Sequence, residues 1–110
     1  MIASRQLALS AVLTAATLAA PADAAASVVP ARGATHLALR RAFIRQDGSS
    51  VGITGEFVGR SAGVVCQRTP DAGLVRFLFS RSGGSWHFLF STRGTRTGPS
   101  AERALERACR

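Results

Sequence analysis

The sequence predicts a small α+β domain in which a four-stranded antiparallel meander sheet is packed by a C-terminal helix and an N-terminal helix, with one disulfide. Three observations support this prediction. Residues 51–92 contain apolar segments separated by glycine-rich turns, residues 100–109 carry an apolar stripe with helical spacing, and the chain has two cysteines. These features place residues 35–110 in a single domain, a size that suits one small hydrophobic core.

The first 26 residues have the features of a cleaved secretory signal peptide. Arg5 precedes an apolar run from Leu7 to Ala20, and Ala22-Asp23-Ala24 supplies a small-residue cleavage site. The run is shorter than the roughly 20 residues that a helix needs to cross a bilayer. We therefore expect a periplasmic or secreted protein without a membrane span, in which residues 27–34 form a flexible lead-in.

Residues 35–46 admit two interpretations. Their alanines, leucines and arginines favour a helix that Thr35 caps and Gly48 ends. Against this, Asp47-Gly48 is also a hairpin signal, and the apolar positions form no clean helical stripe. We favour the helix.

The strands are predicted at residues 51–59, 64–69, 74–81 and 85–92. Gly83-Gly84 suits a two-residue turn of the kind that joins adjacent antiparallel strands. This turn predicts that Arg81 pairs with Trp86, Phe79 with Phe88 and Phe77 with Phe90. A loop of Pro70-Asp71-Ala72-Gly73 predicts pairs of Cys66 with Phe77 and of Val64 with Phe79, and a short turn around Ser61-Ala62 predicts a pair of Phe57 with Cys66.

This predicted register gives the two sheet faces different characters. One face is rich in phenylalanine and includes Cys66. The other carries an apolar strip formed by Val58, Val65, Leu78 and Leu89, with polar neighbours that include Arg76 and His87. An apolar strip rimmed by polar residues is typical of a binding or dimer surface. The alternative is that the N-terminal helix covers it.

The C-terminal helix has the clearest pattern. Ser100 is placed to cap it, and Glu102 in the first turn suits the helix dipole. Its apolar stripe consists of Ala101, Ala104, Leu105, Ala108 and Cys109. If this stripe packs on the phenylalanine-rich face, Cys109 meets Cys66, and an oxidising compartment lets them form a disulfide.

The order of helix, four-stranded meander and helix resembles cystatin-type architecture over about 75 residues. The resemblance implies a helix packed against an antiparallel sheet, and as a likeness of fold it implies no function. The cystatin inhibitor motif Gln-x-Val-x-Gly is absent, because residues 51–55 lack its glutamine and its spacing.

The charge balance suggests an anionic partner. All 14 basic residues are arginine, and the net charge is +8. The loop that contains Arg93 and Arg96 is basic and hydroxyl-rich, so it suits phosphate or carboxylate groups. Neither feature requires a function. The scattered arginines could serve solubility alone, and the loop could be a plain connection between strand and helix.

No catalytic, metal or cofactor site is predicted. His36 and His87 have no partner at metal-ligand spacing, no G-x-S-x-G motif occurs, and Glu56 lacks the second carboxylate of a glycosidase. We therefore predict an exported, non-catalytic domain that binds another macromolecule, such as a protein, through a sheet face or basic loop. The alternatives are electrostatic binding of an anionic envelope polymer or nucleic acid, and a small hydrolase. The candidate binding residues are Val58, Val65, Arg76, Leu78, His87, Leu89, Arg93 and Arg96.

Overall fold

The computed structural model describes residues 28–94 and 96–110; the predicted signal peptide lies outside this range. The elements in chain order are β1 (Val29–Pro30), α1 (Gly33–Asp47), β2 (Ile53–Val58), β3 (Ala62–Thr69), β4 (Gly73–Ser82), β5 (Ser85–Thr92) and α2 (Ala101–Ala108). The predicted antiparallel sheet, the two helices and the disulfide are confirmed. Neither helix of the described part is long and apolar enough to cross a membrane.

The sheet has five strands in the order β1-β2-β3-β4-β5, so the prediction of four was wrong. The extra strand comes from the segment before α1, where Val29 pairs with Val58 and Pro30 with Phe57. The Ala31 amide continues this ladder by donating to the carbonyl oxygen of Glu56 at 2.9 Å. A strand of two residues is too short to show the alternating pattern on which strand prediction depends.

The helical interpretation of residues 35–46 is confirmed by α1, which begins two residues earlier than predicted. Thr35 does not cap it; the N-cap position is Arg32, whose side chain makes no capping bond. Gly48 ends the helix in the left-handed conformation, and its amide donates to the carbonyl of Ile44. Such a C-terminal glycine explains why the Asp47-Gly48 pair ends a helix here instead of turning a hairpin.

The two helices cover opposite faces of the sheet, so the sheet is the middle layer of three. The core on the α1 side consists of Leu39, Ala42, Phe43, Val65, Phe79 and Trp86. The core on the α2 side consists of Val64, Cys66, Leu78, Leu105 and Cys109. The buried apolar side chains of β3 and β4 therefore alternate between the two cores, as the strand period of two requires.

The β4–β5 hairpin agrees with the prediction near its turn and departs from it further along. Gly83 and Gly84 both have positive φ, and the predicted pairs of Arg81 with Trp86 and Phe79 with Phe88 are confirmed. The predicted pair of Phe77 with Phe90 is wrong. A bulge shifts the register, so that Leu78 pairs with Phe90 and Phe77 with Ser91.

The other two hairpins also differ from the predicted register. Thr69 pairs with Gly73, which has φ of 68°, so the β3–β4 loop is one residue shorter than predicted. The shorter loop makes two predicted pairs wrong, because Cys66 pairs with Arg76 instead of Phe77 and Val64 with Leu78 instead of Phe79. Between β2 and β3 the predicted pair of Phe57 with Cys66 is also wrong, because Phe57 pairs with Val64 and Cys66 with Gly55. A shift of one residue moves a side chain to the other face of a sheet.

The disulfide joins the centre of the sheet to the end of α2. Cys66 lies in β3, Cys109 is the C-cap residue of α2, and their Cα atoms are 5.6 Å apart. At the other end of α2, the Ser100 hydroxyl accepts a hydrogen bond from the amide of Arg103 at 3.2 Å, as its capping role predicts. Both ends of this short helix are therefore fixed.

Candidate functional site

The predicted apolar strip does not form a surface. Val65 and Leu78 are fully buried, and they lie in different cores on opposite faces. Val58 packs half-buried on the α1 side, and only Leu89 is exposed. The strip prediction was wrong because the shorter β3–β4 loop places Leu78 beside Val64 instead of beside Val65.

Two of the predicted binding arginines hold the protein's own structure. Arg96 donates from Nε and Nη2 to the two carboxylate oxygens of the buried Glu106, at 2.9 and 2.6 Å. These hydrogen bonds raise the pKa of the Arg96 guanidinium, and desolvation opposes the shift only in part. Arg76 is buried, and its Nε donates to the backbone oxygen of Glu106 at 2.7 Å. Both arginines therefore anchor α2 and the preceding loop.

The remaining candidates, His87, Leu89 and Arg93, are exposed and lie on or directly after β5. This strand is one edge of the sheet, and no described strand lies beside it on the outer side. None of its eight residues, Ser-Trp-His-Phe-Leu-Phe-Ser-Thr, is an arginine, lysine or carboxylate. Natural sheet edges usually carry such charges to prevent pairing with another chain, so β5 is an unprotected edge apart from its bulge.

The turn at the start of β5 determines which backbone groups face outward. A two-residue turn closes on a hydrogen-bonded pair, here Ser82 and Ser85. Because hydrogen-bonded and non-hydrogen-bonded pairs alternate in an antiparallel ladder, the peptide groups of Trp86 and Phe88 point away from β4. Each of these residues therefore offers one N–H donor and one C=O acceptor at the open edge.

The strand at the opposite edge of the sheet is poorly suited to such pairing. There β1 has only two residues, and one of them is Pro30. The Ala31 amide faces β2, so the Pro30 nitrogen faces outward, where proline has no hydrogen to donate. The two edges therefore differ in length and in their supply of donors.

A groove runs between α1 and β5, and we call it the β5 groove. It consists of two adjoining hollows of about 350 and 160 Å³ that share Arg45 and Trp86. Arg41 and Arg45 line it from the helix side, and Phe88 lines it from the strand side. The guanidinium carbon of Arg81 lies 5.3 Å from the centroid of the Trp86 ring. The groove is therefore basic and partly aromatic.

A second polar cluster lies on the other flank of α1, around Glu56. Oε2 of this buried carboxylate accepts hydrogen bonds from Nε and Nη2 of Arg40, the former at 3.0 Å. Nδ1 of His36 lies 3.0 Å from Oε1. Oε1 itself accepts no hydrogen bond from the described residues. Glu56, which sequence reasoning left without a partner, thus ties α1 to β2.

The two partners of Glu56 lie on one side of α1, since residues four apart in a helix share a side.

The hollow beside this cluster, of about 380 Å³, contains neither serine nor cysteine, and its one hydroxyl, that of Thr54, lies 3.5 Å from the Cys66 carbonyl. A further hollow of about 390 Å³ beside the disulfide has Arg110 as its one charged lining residue. Among residues 28–94 and 96–110, no three His, Cys, Asp or Glu side chains are grouped to hold a metal ion.

No protein-family model matches this chain, and neither a curated protein nor a solved structure is significantly similar to it.

Proposed function

We propose that this protein is an exported, non-catalytic domain that binds an extended segment of another protein as a sixth strand beside β5. The observation that carries the proposal is an eight-residue uncharged strand edge next to a groove lined by arginines. Addition of a strand to an exposed sheet edge is a general mode of peptide recognition. The apolar run and cleavage site at the start of the chain support export to the periplasm or the medium.

The outward backbone N–H and C=O groups of β5 are free to bond to water until a segment binds and replaces it. Each backbone hydrogen bond contributes about 0.5–1.5 kcal/mol after the exchange with water. The outward groups of Trp86 and Phe88 supply up to four such bonds before the bulge. Main-chain bonds of this kind provide affinity, and the side chains of the groove provide selectivity.

The strand is held rigidly before any partner arrives. The Phe88 ring packs against Phe77 and Phe79, with centroid distances of 6.3 and 5.7 Å. Trp86 is buried beneath α1 in the core that contains Leu39. Since these contacts fix the backbone of β5, little conformational entropy remains to be lost from the strand when a segment binds.

The proposal is tested by comparing Phe88→Pro with Phe88→Ala. Both variants remove the ring, but only proline removes the outward N–H, which makes no bond to β4. As a probe we suggest a fluorescent, end-blocked heptapeptide of alternating glutamate and valine, followed by fluorescence anisotropy. We expect proline to weaken binding at least about tenfold more than alanine, which corresponds to about 1.4 kcal/mol.

Circular dichroism and thermal midpoints of both variants provide the control for folding. Equal affinities of the two variants would contradict strand addition, as would a failure of the wild-type protein to bind any extended peptide. Sedimentation of the protein alone tests a different occupant. A dimer that Phe88→Pro dissociates would show that the edge binds a second copy of this chain, which contradicts the proposal.

A further inference from the structure

Resting on the proposed function, we infer that the bound segment is acidic, with carboxylates at alternate positions on the side that faces α1. A strand added beside β5 sends every second side chain toward the face that α1 covers, where the β5 groove lies. Trp86 and Phe88 mark this face, since both pack in or on the core beneath α1. Side chains at those positions of the segment would enter the groove.

The cations of the groove are placed to meet such side chains. Arg41 and Arg45 are four residues apart on α1, so they share one flank of the helix, and both are exposed. Like charges at this spacing repel each other mildly, and an anion between them relieves the repulsion. Guanidinium groups bind carboxylates through paired hydrogen bonds, which makes the carboxylate the fitting partner.

The protein's own carboxylates leave these cations available. In the part of the chain that the structure describes, the ion pairs involve only Glu56 and Glu106. Glu56 lies on the far flank of α1 with Arg40 and His36, and Glu106 lies on the other face of the sheet. No carboxylate lines the β5 groove. Its positive charge is therefore not neutralised within the described residues.

A third arginine, Arg81, adds positive charge on the same side. Arg81 lies over the Trp86 ring, so it stands on the same side of the sheet as α1. The alternate side chains of the segment would point to the opposite side, where β5 carries no charged residue of its own. Charge complementarity is therefore required on one side of the segment only, which predicts alternation instead of a continuous acidic run.

The pattern is tested with three end-blocked peptides: alternating glutamate and valine, the same residues arranged in two blocks, and alternating lysine and valine. Only the first can place all of its carboxylates on one side of a strand. In fluorescence anisotropy at about 0.15 M salt, we expect it to bind at least about tenfold more tightly than the other two. Equal binding of all three, each abolished by Phe88→Pro, would overturn this inference and leave strand addition intact.

The placement of the charge is tested with two double variants of equal net charge. Arg41→Gln with Arg45→Gln removes the helix side of the groove. Arg60→Gln with Arg68→Gln removes two exposed arginines that do not line it. We expect the first double variant to bind the alternating peptide about tenfold more weakly than wild type, and the second to change the affinity by less than about twofold. Equal losses would attribute binding to overall charge and overturn the inference, whereas no binding by wild type would instead refute the proposed function.

Discussion

The two faces of the sheet are covered by helices of unequal length that are held in different ways. The longer, α1, has 15 residues and packs Leu39 and Phe43 into an apolar core without a covalent bond. The shorter, α2, has eight residues and is followed at once by the disulfide-bonded Cys109. Isolated helices of this shorter length are not stable in water. The longer α1 is therefore held without a covalent bond, whereas the short α2 has a disulfide in addition to the packing of Leu105 and its polar contacts.

Each face also has one buried glutamate, but the roles of helix and sheet are reversed. On the α1 side, Glu56 belongs to β2 and binds Arg40 of the helix. On the α2 side, Glu106 belongs to the helix and binds Arg96 of the preceding loop, while its backbone oxygen accepts from Arg76 of β4. Glu106 therefore contacts both the preceding loop and β4, which makes it the more sensitive of the two glutamates.

The largest expected effect is that of removing the disulfide. Its cysteines are 43 positions apart, and for a loop of this size the chain-entropy relation gives about 4 kcal/mol. We expect the double variant Cys66→Ala with Cys109→Ala to lose about that much free energy of unfolding, measured by urea denaturation. Amide hydrogen exchange should show the loss first in α2, because α1 has no part in the bond.

The control for this prediction is Phe43→Ala, which opens a cavity beneath α1 and should cost about 3–5 kcal/mol. The two changes are similar in size but act on opposite faces. A greater loss of protection in α2 than in α1 for the cysteine variant, and the reverse for Phe43→Ala, would support the comparison. Equal loss in both helices for both variants would show that the two faces unfold as one unit, and the comparison would fail.

A smaller effect is expected for Glu106→Gln. This change removes the charge that accepts two hydrogen bonds from Arg96, and charged hydrogen bonds contribute about 1.5–3 kcal/mol. Because the folded-state pKa of Arg96 is raised, its charged guanidinium contributes its full stabilisation from neutral pH up to the ordinary arginine pKa. That contribution disappears only as the pH rises through the raised value. We therefore expect a urea midpoint lowered to the same extent at pH 6 and pH 9.

Glu56→Gln is the matched variant on the other face. It should lower stability by a similar amount, about 1.5–3 kcal/mol, but reduce hydrogen-exchange protection in α1 and β1 instead of α2. A change in α2 protection upon Glu56→Gln would mean that the two glutamates are coupled through the sheet, contrary to the separation described above.

Local patterns predicted the elements of this fold well, because their signals lie within a few residues. Ser100 and the apolar stripe after it identify α2, and Gly83 with Gly84 identify the final turn. Register depends on smaller features. The bulge beside Phe79 and the left-handed Gly73 each change the pairing by one residue, and no hydrophobic pattern distinguishes them from a regular ladder. An error of one residue was enough to assign Leu78 to the wrong face.

The candidate site was predictable only in part for a related reason. His87, Leu89 and Arg93 were singled out by the sequence and do lie along or next to the open edge. Arg41 and Arg45 were not, because their position beside β5 depends on how α1 crosses the sheet. The spacing of residues within a single element does not indicate a tertiary contact of this kind. The same holds for Glu56, which is far in sequence from Arg40.

The smallest expected effect concerns the caps of the two helices. The Ser100 hydroxyl accepts a bond from the Arg103 amide, whereas Arg32 at the start of α1 makes no side-chain cap. Ser100→Ala should therefore cost about 1 kcal/mol of unfolding free energy, and Arg32→Ala should change it by less than about 0.5 kcal/mol. Urea denaturation with hydrogen exchange at α2 measures both. Similar effects of the two substitutions would mean that α2 gains nothing from its cap, and that the disulfide alone compensates for its short length.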